Sequence, residues 1–307
     1  MAAIEFTLTL VSPTFMYGAY QRGSDAQPEM RAQSVRGKLR YWLRAIIGAH
    51  TTNLKDVWDR ESAVFGSTGV GSAVSVRVYA SHKAHTGSEP MLPHRELRGG
   101  PVSPAPALKA GQQFTLQLVT RPGVPMPDDA LNALKVWSLL GGVGKRSRRM
   151  FGAVRVAPQA EGSQAEGWYP APGSVEDFIT LTRSTLKQII GAPPERRDIP
   201  NWPTLHPNHS WVVIGRESYE SAKEANQALF GLLRGSYRQH ERSFGHAMQG
   251  RRASTLHAQV RRIGGDYYPV LTALRSRPEQ GIRWDVLAEF MKDAQQHFDG
   301  ETVWGGW

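Results

Sequence analysis

Along the first half of the chain the hydrophobic period switches between two residues and 3.6 residues, in an order that few folds accept. Glu5 to Val11 alternates polar with apolar and β-branched residues and predicts a strand ended by Ser12-Pro13. From Ser34 to Ile47 the apolar positions Val35, Leu39, Trp42, Leu43, Ile46 and Ile47 recur at helical spacing, with Ser34 as N-cap and Gly48 as stop. Ala73 to Ala80 and Phe114 to Thr120 predict two further strands, joined by a long Pro/Gly/His-rich connection around residues 82–111. Asp128 to Leu140 predicts a second amphipathic helix, and Ala153 to Ala157 a closing strand. Strand, helix, strand, strand, helix, strand is the ferredoxin-like arrangement shared by common RNA-recognition folds.

Residues 158–173 are rich in Pro, Gly, Ala and Gln, the composition of a linker, and set an expected boundary between domains at 1–158 and 159–307. Beyond it the pattern predicts a helix over Val175 to Ile190, a Pro-rich stretch, a strand over Ser210 to Gly215 and a long helix from Tyr219 to about Arg238. A hairpin follows, Thr255 to Arg262 and Tyr267 to Leu274 turning at Gly264-Gly265, then an acidic terminal helix over Trp284 to Phe298. This half reads as a remodelled copy of the first. The expected class is α+β, with tandem ferredoxin-like (RRM-like) domains carrying insertions. The tail, Thr302 to Trp307, either packs on the core or offers two tryptophans to a partner.

The formal net charge of +10 is confined to three short stretches. Residues 22–44 carry +4, residues 145–155 carry +5 and residues 234–262 carry +6, so the rest of the chain is net negative. Such confinement points to a binding track for a polyanion, and arginine, which dominates each cluster, suits phosphate and stacks on bases. On the first helix Arg36, Arg40 and Arg44 fall at i, i+4 and i+8 and form one stripe, with Arg31, Lys38, Ser34 and Gly37 around the helix start, where free amides suit a phosphate. The strongest motif is Gly141-Gly-Val-Gly-Lys-Arg-Ser-Arg-Arg-Met-Phe-Gly152, which sets Lys145, Arg146, Ser147, Arg148 and Arg149 between glycines and reads as a flexible loop able to wrap a polyanion. It is no nucleotide-triphosphate loop, because Leu139 and Arg146 stand where the Walker pattern needs Gly and Ser/Thr. The dinucleotide pattern fails at Ser147. A third, weaker motif pairs Arg251 with Arg252 ahead of a strand.

No cysteine is present, which excludes disulfides, thiolate zinc sites, iron–sulfur clusters and a cysteine nucleophile. No run of 18 apolar residues exists and the N-terminus lacks a leader pattern, so the expected location is the cytoplasm, away from membranes. No cofactor or metal site is expected; His82, His85 and His94 lack patterned carboxylates.

With Ser12-Pro13, the helix Arg31-Ala-Gln-Ser-Val-Arg-Gly-Lys-Leu-Arg-Tyr-Trp-Leu-Arg44, Phe65-Gly-Ser67 and the Gly141 to Gly152 loop, the chain resembles the RAMP superfamily of CRISPR proteins. Within it the helix motif, Glu61 to Ser67, Gly250 to Ser254 and Tyr267 to Thr272 are most similar to the subunit-one family of the type III-B (Cmr) RNA-guided effector complex. The resemblance covers nearly the whole chain, which is short for that family. It implies tandem ferredoxin-like domains and a non-catalytic subunit near the 3′ end of the guide RNA, beside other RAMP subunits, holding the guide and helping capture the complementary target RNA. Carried over, Arg31, Arg36, Lys38, Arg40 and Arg44 would face RNA from the helix, and Lys145 to Arg149 from the loop.

An endoribonuclease is the alternative, since some RAMP relatives cut RNA. Metal-independent cleavage needs a base near the 2′-OH, for which His50 is the candidate just past the first helix. Asp25, in the loop after the first strand, is the candidate carboxylate, by comparison with relatives that use an aspartate there. Phe15, Tyr17 and Tyr20 in that loop either stack on bases or pack beneath it.

Overall fold

The computed structural model describes residues 3–18, 27–80, 84–90, 104–159, 168–169, 171–245, 253–277 and 282–307. Strand β1 (Ala3–Leu10) buries every second side chain, Ile4, Phe6, Leu8 and Leu10, as its alternation requires. It pairs antiparallel with β5 (Gln113–Thr120) on one side, Phe6 opposite Leu116, and with β6 (Val154–Pro158) on the other, Leu8 opposite Val156. With β2 (Val74–Tyr79) against β5 the sheet order is β2-β5-β1-β6, the ferredoxin-like order. Helices α1 (Ala32–Ile47), α2 (Leu54–Phe65) and α3 (Asp128–Leu140) belong to this first unit.

The second unit repeats the topology. Strands β7 (Ser210–Gly215), β8 (Leu256–Ile263), β9 (Asp266–Leu274) and β10 (Gly300–Gly305) form an antiparallel sheet in the order β10-β7-β9-β8. In chain order it runs β7, α5 (Ala222–Arg234), β8, β9, α6 (Trp284–His297), β10. Helix α4 (Val175–Ile190), opened by a Ser174/Asp177 capping box, precedes it. The chain is thus α+β with tandem ferredoxin-like repeats.

Unlike the first sheet, which leaves Glu5 exposed, the second is buried on both faces. Trp211, Val213, Leu271 and Ala273 join Leu229, Leu233, Leu287 and Phe290 of α5 and α6 in one core. The alternate residues Val212, Ile214, Val270 and Leu274 join the larger core of α1, α3, α4 and the first sheet. Helices α1 and α3 therefore lie between two sheets. Helix α3 shows it in sequence, burying Leu134, Val136, Trp137, Leu139 and Leu140, more than one face of a surface helix carries.

Several elements differ from the pattern-based expectation. Helix α1 starts at Ala32; Arg31 occupies the N-cap in an extended conformation without a side-chain cap, and the Ser34 amide already donates to the Arg31 carbonyl at 3.0 Å inside the first turn. Helix α2, capped by Asn53, was not expected, because the polar Glu61 and Ser62 occupy buried positions that interrupt the apolar period. The connection around 82–111 contains a hairpin, β3 (Thr86–Pro90) with β4 (Pro104–Leu108). The helix expected from Tyr219 to about Arg238 spans Ala222–Arg234, stops at Gly235 and is followed by a 3₁₀ stretch over Arg238–Phe244. The tail packs on the core: β10 pairs with β7, the Trp304 indole donates to the Leu205 carbonyl at 2.9 Å, and Trp307 meets Trp211 edge-on with ring centroids 5.7 Å apart.

Gly144 and Gly152 show why the Gly141 to Gly152 loop is glycine-rich. Both have positive φ (84° and 63°), and a Cβ on Gly152 would stand 1.8 Å from the Val143 carbonyl oxygen. Gly152→Ala is expected to cost at least about 2 kcal/mol, through left-handed strain and displacement of this backbone. The check is the urea midpoint; an unchanged midpoint would show that the loop relaxes freely.

Candidate nucleic-acid interface

Two of the three basic stretches meet on one surface, with the strand that follows the third alongside. Lys38 on α1 donates to Ser147 of the loop at 2.9 Å, and the Arg148 guanidinium lies over the Tyr41 ring, 5.2 Å from its centroid. Arg149 forms a parallel bridge with Ala258 of β8, and Arg148 donates to the Ser254 carbonyl. Arg251 and Arg252 lie outside the described residues.

The loop is ordered along its length, in contrast to the flexible segment that the composition suggests. The Lys145 amide donates to the Phe15 carbonyl at 2.7 Å, that of Gly152 to Pro13 at 2.9 Å and that of Met150 to Ala258 at 2.8 Å. Side chains from β8 complete the clasp. Period-two alternation turns His257, Gln259 and Arg261 toward the first unit, where they reach Tyr41, the Ser147 carbonyl and the Gly141 carbonyl. All three are buried. Asn226 of α5 adds a bond to the Arg149 carbonyl at 2.6 Å.

This packing divides the expected contact residues. Arg149 donates to the Phe244 carbonyl and the Ser254 hydroxyl and is structurally engaged between the units. Ser147 is buried. The α1 stripe seats α2: Arg36 donates to the Phe65 carbonyl, Arg40 pairs with Glu61, and Arg44 approaches the second Glu61 oxygen at 3.4 Å. Glu61 is only 1% exposed, whereas Arg44 keeps 47% of its side chain open to solvent. Lys145 is exposed and stands 4.6 Å over the Tyr17 ring, whose hydroxyl donates to Pro106 at 2.6 Å. Arg31, Arg36, Lys38, Arg146 and Arg148 are half-buried. Phe15 and Tyr17 pack beneath the loop, Phe15 on Phe151 at 5.0 Å; Tyr20 lies outside the described residues.

The electrostatics are one-sided. Burial, then Arg234, lowers Arg146 to about 10; burial, then Arg146, Arg148 and Arg234, lowers Arg149 to about 10. Burial and Arg148 bring Lys38 to about 8. No ion pair joins the cations of residues 145–149 to a carboxylate among the described residues. Cations crowded this way gain from a bound polyanion.

Of the two candidate catalytic residues, Asp25 lies outside the described residues. His50 is exposed behind α1, and burial of its ring, then Arg60, His206 and Arg196, hold its imidazole below the ordinary value. Among the described residues no cluster of three His, Cys, Asp or Glu could hold a metal, and no helix is long and apolar enough to cross a membrane.

Sequence reading missed His257, Gln259 and Arg261, three polar residues that alternate with the apolar Leu256, Ala258 and Val260 of β8. Burial, then Arg148, Lys38 and Arg149, hold His257 well below the usual imidazole range. Because its folded pKa is depressed, the unfolded chain binds the extra proton, so stability is lost as pH falls below about 6.5. The difference in urea midpoint between the parent and His257→Asn is expected to shrink as pH drops from 7 toward 5. A pH-independent difference would show that His257 protonates without cost.

Residues 7–155 match the family model of the RAMP superfamily. Over 353 aligned positions, covering 99% of this chain and 98% of the relative, the sequence is 25% identical to CRISPR system Cmr subunit Cmr1-1 of Pyrococcus furiosus. A 74-residue stretch, 24% of this chain and 37% of the relative, is 39% identical to Cmr subunit Cmr1-2 of the same organism. In structure the chain is similar to the apo crystal form of Cmr1 from Pyrococcus furiosus, with a TM-score of 0.68, 22% identity and full coverage of both chains. It is also similar to a chain of the type III-B Cmr-beta complex bound to cognate target RNA, with a TM-score of 0.69 and 12% identity, covering 97% of this chain and 100% of that one. These structural likenesses reflect a shared fold.

Proposed function

Because residues 7–155 belong to the RAMP superfamily and the whole chain is similar to a Cmr1 subunit, we propose that it is a non-catalytic RNA-binding subunit of a type III-B CRISPR effector complex. In this reading it holds the 3′ region of the guide RNA, helps capture the complementary target RNA and docks on other RAMP subunits. The domain division at 1–158 and 159–307 belongs to the same proposal. The observation that carries the reading is the meeting of α1 with the Lys145 to Arg149 loop on one surface, at a loop whose cations have no paired carboxylate among the described residues.

Gly37 adds support from the opposite direction. It is exposed in the second turn of α1, and a Cβ there would meet nothing within 4 Å. Internal packing leaves this glycine unexplained, although a helical glycine costs about 1 kcal/mol relative to alanine. Close approach of an RNA backbone to α1 supplies a reason. Gly37→Ala is expected to raise the urea midpoint slightly while weakening RNA binding severalfold; binding equal to the parent would remove Gly37 from the interface.

The direct test is one end-labelled single-stranded RNA incubated with the purified chain, with and without magnesium, and run on native and denaturing gels. Retarded, intact RNA is expected. About six phosphate contacts give a slope near −4 in log K against log salt, and Lys145→Ala or Arg44→Ala should each make it shallower by about 0.7. A flat salt response would overturn the reading. Scission lost on Asp25→Ala or His50→Ala would replace it with an endoribonuclease.

A further inference from the structure

A cleft of about 200 Å³ opens between the two units, walled by β1, β6, α3, α4, Tyr169, Ala171, Pro172 and the β8–β9 turn. Three arginines line it, Arg155, Arg261 and Arg262, and among the described residues no aspartate or glutamate does. Arg155 and Arg262 are exposed, whereas Arg261 is only 5% exposed. Its two terminal nitrogens donate to the Val260 carbonyl at 2.8 Å and the Gly141 carbonyl at 3.0 Å, and its Nε has no partner. None of the three makes an ion pair among the described residues.

A buried guanidinium without a counter-charge is costly, and a protein normally supplies a carboxylate. Here burial lowers Arg261 to about 10, with the Tyr169 hydroxyl as the opposing influence. Among the described residues no carboxylate supplies the missing charge, and a bound anion would. Around the guanidinium groups the walls are apolar, lined by Leu139 and Phe178, with the Tyr267 ring beneath Arg262 at 5.8 Å. Ser138 and Tyr169 add hydroxyls. The volume is below the ~300–1,000 Å³ typical of drug-sized ligand pockets, so it admits one small ligand and no run of nucleotides.

We propose that this cleft binds an organic phosphate monoester with a flat or apolar body, the size of a single nucleotide. The exposed guanidinium forks of Arg155 and Arg262, with the unpartnered Nε of Arg261, match a phosphate dianion better than a carboxylate, which offers one charge and two oxygens. The body lies against Tyr267 and the apolar wall. No residue of α1 or of the Gly141 to Gly152 loop lines the cleft, so the proposal goes beyond the RNA-binding reading and does not depend on it.

The same chemistry is present in a free mononucleotide and in the phosphorylated end of an RNA, and titration of the full chain separates them. AMP, adenosine, and a short RNA with and without a terminal phosphate are the probes; Arg155→Ala and Arg262→Ala, both at exposed positions, are the variants, with Lys145→Ala as control. AMP binding that adenosine does not reproduce, weakened about tenfold or more in each arginine variant and kept in Lys145→Ala, is expected if the ligand is free. A preference for phosphate-ended RNA that both arginine variants abolish, without AMP binding, assigns the site to an RNA end. Adenosine binding as well as AMP, binding unchanged in both arginine variants, or no effect of phosphate in either arm would overturn the proposal. Loss of RNA affinity in Lys145→Ala with AMP binding intact reports on the RNA surface alone.

Discussion

Burial of one helical layer by two sheets is the constraint on which the rest of this structure depends. Helices α1 and α3 cover the inner face of the first sheet and are themselves covered by the inner face of the second, so Trp42, Trp137, Val212 and Val270 lie in one continuous core. Apolar area removed from water is worth about 25 cal/mol per Å², and a layer with two buried faces gains it twice. The two ferredoxin-like repeats are held together by the helices of the first. The second sheet is covered on both sides along most of its length.

That arrangement dictates where polar groups can go. Strand β8 presents His257, Gln259 and Arg261 to the interior, and each reaches the first unit, at Tyr41, Ser147 and Gly141. The glycine-rich loop is thereby clasped between the repeats, its tight turns made possible by glycines that close packing requires. Lysine and arginine side chains next to it inherit fixed positions from the joint. Lys145 and Arg148 are set above Tyr17 and Tyr41, and Arg149 is drawn inward to hold the units together. A basic surface built this way is preorganised, which lowers the ordering cost of binding a polyanion.

The same economy shapes α1. Its arginine stripe reads as a free track in sequence, yet in the fold Arg36, Arg40 and Arg44 brace α2 through Phe65 and the buried Glu61. One carboxylate shared by two guanidiniums leaves the pair net positive, so bracing and attraction for phosphate coexist on one helix. Arg44, nearly half exposed, braces α2 and stays open to solvent.

The amino-acid sequence by itself determined the strand–helix order of the first ferredoxin-like repeat, the boundaries of α3, α4 and β7, the location of the basic charge and the glycine-rich loop, because period and composition are local properties of the chain. It did not disclose α2, where Glu61 stands in an apolar register, nor β10, whose pairing with β7 draws on residues some 90 positions away. Nor did it separate Lys145, which faces solvent, from Arg149, which faces the other unit, although both lie within five residues of one loop. Only the tertiary structure decided which cations are structural and which are open, and brought Arg155, Arg261 and Arg262 together. A charge's role is set by the partners around it, and those partners come from distant parts of the chain.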